Sequence, residues 1–202
     1  MALTSPITHA HKRFASSTRV WHEQIQAEIK RISEIEGVEL IDFHAPLYNR
    51  PDLLPDSIHP NAEGAGLIAK TVYSAITGNY GGLKMPVTYG NGMVLQRGKP
   101  ILISGTANVG DEVVVKLGKD KAKTVTPLSG RWKVTLKPLK ATTGLTLTIS
   151  TKATELVYTD VAVGDVWLCS GQSNMAFMVK EMKDSTALTG CDDKNLRFFD
   201  MK

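Results

Sequence analysis

The spacing of apolar residues changes twice along the chain. Over residues 21–35, Trp21, Ile25, Ala27, Ile29, Ile32 and Ile35 recur near helical spacing, with Glu23, Gln24, Lys30, Arg31 and Glu34 mostly on the other side. That pattern predicts an amphipathic helix, and Gly37 is placed to stop it. A short strand is predicted over residues 38–43. Residues 44–61 form a loop carrying Pro46, Pro51, Pro55 and Pro60. A second helix is predicted over residues 62–76, closed by Thr77-Gly78-Asn79. Helix, strand, loop and helix in that order form an α/β pattern.

From residue 84 the period shortens to two. The runs 101–104, 112–117, 123–126, 132–136 and 145–149 are short and largely alternate apolar with polar, and Gly105, Gly110, Gly118, Gly130 and Gly144 separate them. Short alternating strands between turn residues predict an antiparallel β-sandwich over residues 84–160. Next comes Val161-Ala162-Val163-Gly164-Asp165-Val166-Trp167-Leu168-Cys169, a mostly apolar run predicted to be a strand covered on both faces. It feeds Ser170-Gly171-Gln172-Ser173-Asn174-Met175. Residues 195–200 read as the start of another strand, so the chain is expected to stop within a domain. The fold class is α/β plus β: residues 1–83 and 161–202 as partial α/β segments flanking the sandwich.

Composition changes little in this picture. The 202 residues are 42% hydrophobic and 22% charged, which argues against disordered, collagen-like and coiled-coil classes. The net charge of +4 is spread along the chain. No basic block is interleaved with aromatics, so nucleic-acid binding has no support. Lys116, Lys119, Lys121 and Lys123 are read as a solvated hairpin edge. Cys169 and Cys191 form neither a disulfide framework nor a metal-ligand spacing, and Cys169 is expected to pack as a small buried hydrophobe. No run approaches the ~18 apolar residues of a membrane span. The first six residues lack the features of a signal peptide, so the expectation is either a cytoplasmic protein or a leader outside this sequence.

Two constellations carry chemistry. A serine hydroxyl needs a base and a site for the oxyanion. A tight turn after a strand would expose Ser173 and gather backbone N–H groups there, with Gly171 permitting close approach of substrate. A histidine base needs a carboxylate to fix its tautomer. Asp56, three positions before His59 in a loop stiffened by Pro55 and Pro60, is within reach of that ring. Asn61 is expected to cap the helix that follows. His9, His11, His22 and His44 show no metal-like pairing. Trp21, Trp132 and Trp167 are expected in the core, and Tyr89 and Tyr158 are read as packing residues rather than a sugar-binding face.

The block Asp56-Ser57-Ile58-His59-Pro60-Asn61, with Gly64 and Gly66 after it, resembles the last motif of SGNH/GDSL hydrolases. The stretch Gly92-Met93-Val94-Leu95-Gln96-Arg97, with Gly130-Arg131-Trp132 and the string Gly164 to Met175, resembles the amino-terminal part of sialate O-acetylesterases. The resemblance implies a flavodoxin-like SGNH fold for the α/β segments. It also implies hydrolysis of O-acetyl esters on carbohydrate such as sialic acid, with Ser173 as nucleophile, Gly171 and Asn174 shaping the oxyanion region, and His59 as base oriented by Asp56.

In that family the serine block comes first, whereas here His59 precedes Ser173. A tandem parent explains this order: residues 1–83 as the tail of one SGNH domain, residues from 84 as the opening of the next. Ser173 and His59 then belong to two sites, the alternatives being a permuted site or one shared between chains. Acyl transfer through serine calls for no metal or organic cofactor. The competing reading is a non-catalytic sandwich that binds carbohydrate or spaces catalytic domains. Aromatics exposed on a sheet face would favour carbohydrate binding.

Overall fold

The computed structural model describes residues 16–35, 38, 40–48, 50–171, 173, 177–181, 186, 189 and 192–199. The chain divides into two compact units. One comprises residues 1–82 with the loops 106–111 and 125–131; the other comprises 83–105, 112–124 and 132–202. Among the described residues no helix is long and apolar enough to cross a membrane.

In the first unit, helix α1 spans Ser16–Ser33, with Lys30 and Arg31 in its last turn, where positive charge suits the carbonyl end of the helix dipole. It begins five residues before the predicted start, because its first turns are polar and carry no apolar period. The predicted stop at Gly37 lies outside the described residues. Trp21 is 58% exposed rather than a core residue. Among the described residues of the predicted strand over 38–43, a single one, Ile41, forms a bridge. Asp42 Oδ1 instead accepts the Ala45 amide at 2.9 Å and turns the chain into a short helix α2, His44–Leu47. Helix α3 spans Ala62–Thr77 and ends in left-handed Gly78, whose N–H donates to the Ser74 carbonyl. Leu47, Leu53 and Leu54 are fully buried, each worth roughly 1.5–3 kcal/mol in area removed from water.

Beyond α3 the chain is tied down. Val109 N–H donates to the Gly78 carbonyl at 2.9 Å. Asn108 Oδ1 accepts from Tyr80 N–H at 2.9 Å and from Gly82 N–H at 3.0 Å. The Tyr80 hydroxyl donates to the Leu128 carbonyl at 2.9 Å. The Tyr80 ring occupies the space that a Cβ on left-handed Gly130 would need.

The strands lie mainly in the second unit: β1 Val94–Gln96, β2 Ile101–Thr106, β3 Glu112–Leu117, β4 Asp120–Val125, β5 Arg131–Leu136, β6 Thr142–Ser150 and β7 Glu155–Gly164. They form a five-stranded sheet in the order β1-β7-β6-β3-β4 and a two-stranded sheet of β2 and β5. The period-two pattern sorts their side chains. Trp132, Val134 and Leu136 of β5 are buried while Arg131, Lys133 and Thr135 are exposed. Val113, Val115 and Leu117 of β3, with Leu147 and Ile149 of β6, add to this core. Strand β4 is the sheet edge, and Lys116, Lys119, Lys121 and Lys123 of the β3–β4 hairpin are all exposed, as expected for a solvated edge. Left-handed Gly144 sits where the β6–β7 register shifts between Thr142 and Leu145.

Three expectations need correction. The large sheet is mixed, because β1 runs parallel to β7, pairing Gln96 with Gly164. Residues 161–169 are not a separate covered strand. Val161, Ala162 and Val163 are buried as the end of β7, which stops at Gly164, while Val166, Trp167 and Leu168 are 53%, 83% and 88% exposed and Cys169 is exposed too. Finally, the described residues 196–199 form no strand. There Arg197 is drawn aside, its guanidinium donating to the Gly92 carbonyl and to the carbonyl and carboxylate of Asp160.

Candidate active site

The Asp56–His59 loop is built from its backbone upward. A 3₁₀ turn, Pro51–Leu53, delivers Leu53 and Leu54 to the interior. Ser57 N–H then donates to the Leu54 carbonyl at 2.9 Å, and Ser57 takes a left-handed φ of 75°. This turn folds the Asp56 carboxylate back over the next residues. Oδ1 accepts Ile58 N–H at 3.0 Å and His59 N–H at 2.7 Å, and Oδ2 lies 2.6 Å from His59 Nδ1. The His59 ring first, then the two amides, hold the Asp56 carboxyl well below the usual carboxylate range, because each stabilises the charged form. With Nδ1–H given to the carboxylate, the neutral ring carries its lone pair on Nε2, the position a general base uses. The His59 side chain is 80% exposed.

Asn61 locks the far side of the loop. Its Oδ1 accepts Gly64 N–H at 3.0 Å, as expected of the cap of α3. Its side-chain amide donates to the Asp52 carbonyl at 3.0 Å, and its backbone N–H donates to the Leu53 carbonyl at 2.9 Å. Gly64 is needed for close approach: a Cβ there would meet Pro60 Cβ at 2.9 Å and the Leu53 carbonyl oxygen at 3.1 Å. Gly66 faces open space.

The structure brings Asp56 and His59 together, and the serine segment belongs to the other unit. Ser173 and Gly171 are exposed; Asn174 lies outside the described residues, as do Gln172 and Met175. The lead-in to this segment is held by residues that the sequence reading assigned no role. Arg97 grips Asp165 with Nε to Oδ1 at 2.9 Å and Nη2 to Oδ2 at 3.0 Å. Arg97 N–H donates to the Gly164 carbonyl at 2.9 Å, and Gln96 Oε1 accepts Val166 N–H at 3.0 Å. The pairing extends the β1–β7 ladder beyond both strand ends. Its partners sit in two motif blocks 68 positions apart, a spacing that no local pattern reveals.

Other expectations resolve as packing. Tyr89 and Tyr158 meet with ring centroids 6.4 Å apart. The aromatics on the described strands, Trp132 and Tyr158, are buried and half-buried, so these strands do not present the exposed aromatic face that would favour carbohydrate docking. Trp132 is 2% exposed, whereas Trp167 projects into solvent. His44 lies between His22 and Tyr48, its ring tilted to both, with centroids at 5.8 and 5.3 Å. Burial first, and then the neighbouring His22, lower its pKa against a raising influence from Asp42. His9, His11 and Cys191 lie outside the described residues.

No protein-family model matches the chain. A sialate O-acetylesterase of Rattus norvegicus is 36% identical over 115 residues, covering 48% of this chain and 21% of that protein. The sialate O-acetylesterases of Pongo abelii and Homo sapiens are each 34% identical over 107 residues, covering 48% of this chain and 20% of theirs. Among solved structures, a carbohydrate acetylesterase from Xanthomonas citri matches with a TM-score of 0.53 and 30% identity, covering 55% of this chain and 26% of that one. The partial α/β plus β chain is thus related to acetylesterases. More narrowly, over the matched half it is sialate O-acetylesterase-like. It spans about a fifth of the length of the curated relatives it matches.

Proposed function

We propose that the chain is part of an SGNH-type serine esterase that removes O-acetyl groups from carbohydrate, sialic acid being the substrate suggested by the relatives' names. The observation that carries this reading is the contact between Asp56 Oδ2 and His59 Nδ1 at 2.6 Å. It orients an exposed imidazole for proton transfer in the way serine hydrolysis requires.

In this reading a serine Oγ attacks the acetyl carbonyl while a histidine Nε2 takes its proton. The tetrahedral oxyanion collapses and expels the sugar oxygen, which receives that proton. Water then attacks the acetyl-enzyme, giving up a proton to the histidine, and releases acetate and the free serine. Ser173 is the nucleophile, with Gly171 and Asn174 at the oxyanion; His59 is a base, with Asp56 its orienting carboxylate. The motif order favours a tandem arrangement: residues 1–83 end one SGNH domain, residues 84–160 form a β-sandwich from the two sheets, and residues 161–202 open a second SGNH domain. Ser173 and His59 are then halves of two sites.

The test is covalent labelling of this chain by a fluorophosphonate, read by intact mass, with Ser173→Ala and His59→Ala beside it. The two-site reading expects a folded chain that does not label at Ser173. Labelling abolished by both substitutions would replace it with a single shared site. In a longer protein holding both sites complete, Ser173→Ala is expected to lower turnover at its own site by roughly 10⁴–10⁶. Full turnover in that protein would remove Ser173 from the mechanism.

A further inference from the structure

The structure assigns Ser57 as a positioning residue for His59: its left-handed backbone, not its hydroxyl, aims Asp56 at the ring. The assignment rests on the proposed role of His59 as a base.

Ser57 and Asp160 are the non-glycine residues with positive φ among those described. Asp160 has Arg197 on its carbonyl and carboxylate. Ser57 shows no such compensation: it is fully buried, and its Oγ has no hydrogen-bond partner among the described residues. A left-handed residue other than glycine is unfavourable, and so is a buried hydroxyl without a partner. Strained residues that persist despite such costs cluster at functional sites. Here the consequence of the conformation is visible in what converges on Asp56. The Ile58 amide, the His59 amide and the His59 ring all reach one carboxylate within three residues. An extended residue at position 57 would carry Ile58 and His59 away from it. Residue 57 is also fixed from behind, by its N–H on the Leu54 carbonyl.

Because the hydroxyl bonds to none of the described residues, glycine should serve at this position as well as serine. Glycine adopts positive φ without steric cost. A β-branched residue resists it most, so Ser57→Val should break the arrangement.

The test reads the loop itself and needs no turnover. The ¹⁵N shifts of the His59 ring give its tautomer, and the ¹³C shift of the Asp56 carboxyl gives its titration, in the full chain. Wild type, Ser57→Gly and Ser57→Ala are expected to show the Nδ1–H tautomer and an Asp56 that titrates below the usual range. Ser57→Val is expected to lose the tautomer preference and to return Asp56 to roughly 3.9, its free value. Retention of both signals in Ser57→Val would overturn the assignment, as would their loss in Ser57→Gly, which would hand the role to the hydroxyl. If the valine variant does not fold, thermal stability decides between the other two. Ser57→Gly should melt above Ser57→Ala, and the reverse order would mean that the left-handed backbone carries no cost. These results leave the esterase reading standing or falling separately, on the labelling experiment.

Discussion

The Asp56 carboxylate meets His59 twice, at the backbone amide at 2.7 Å and at the ring at 2.6 Å. The same residue thus shapes the loop and orients the imidazole. Asp56→Asn should separate these roles. The amide oxygen can still accept a backbone N–H, but the charge that fixes the Nδ1–H tautomer is gone. Ring ¹⁵N shifts should show a mixed tautomer while α3 persists by circular dichroism. In the serine protease triad the equivalent change lowers turnover by about 10⁴, and a complete esterase site holding this loop should respond on that scale.

The acid response follows from the depressed Asp56 pKa. A carboxylate whose folded pKa lies below its unfolded value contributes stability above the unfolded value, near ~3.9, and that contribution is lost as pH falls through the folded value. Amide exchange at Ile58 and His59 should therefore stay slow below the ordinary carboxylate range and accelerate only in stronger acid. In Asp56→Asn this pH dependence should vanish.

Gly64 and Gly66 should answer oppositely to alanine. At Gly66 the added methyl meets nothing within 4 Å, so Gly66→Ala should stabilise the helix by about 0.5–1 kcal/mol. At Gly64 the methyl strikes Pro60 and the Leu53 carbonyl, an overpacking that costs about 1–3 kcal/mol. Thermal melts of the two variants should bracket the wild type.

Asn61→Ala removes a cap and a staple together. Loss of an N-cap alone costs about 0.5–2 kcal/mol, and the Asp52 carbonyl loses its donor as well. A lowered melting temperature should come with faster amide exchange at Gly64. A melt unchanged from wild type would show that solvent replaces both bonds.

His44 gives the first unit a second pH response. Its pKa is lowered by burial and by His22, with Asp42 opposing and the Tyr48 ring packed against it. A histidine held neutral contributes stability above its unfolded value, near ~6.5, and loses it as pH falls toward the lowered folded value. Amides of α2 should exchange faster as pH drops through that window. His44→Gln should flatten the response; an unchanged profile would place its origin elsewhere.

The sequence was legible wherever one physical rule acts locally. The helix over 62–76 was, because Asn61 and Gly78 supply its ends as those residue types do. Trp132, Val134 and Leu136 were, because period two sorts a strand's faces. The Asp56–His59 contact was, because three residues of loop suffice to close it. The strand at 38–43 misled, since an Asp42 side chain competing for the Ala45 amide leaves no mark in an apolar pattern. Trp167 and Leu168 misled too: they are as apolar as any core residue, yet they lie beyond the last ladder bond of β7. The Arg97–Asp165 grip and the left-handed Ser57 depend on chain geometry, which residue type alone does not encode.

The texture of the sequence changes near residue 83, but the hydrogen bonds do not stop there. A gene cut at that point would leave Asn108 without its two amide donors, Leu128 without the Tyr80 hydroxyl, and Gly130 with an uncovered backbone where a ring had rested. Both products would carry a raw face, one made of loops and one made of a helix end. Expression trials of the β-strand region should therefore begin at Gly78 or earlier, where the chain first joins those loops.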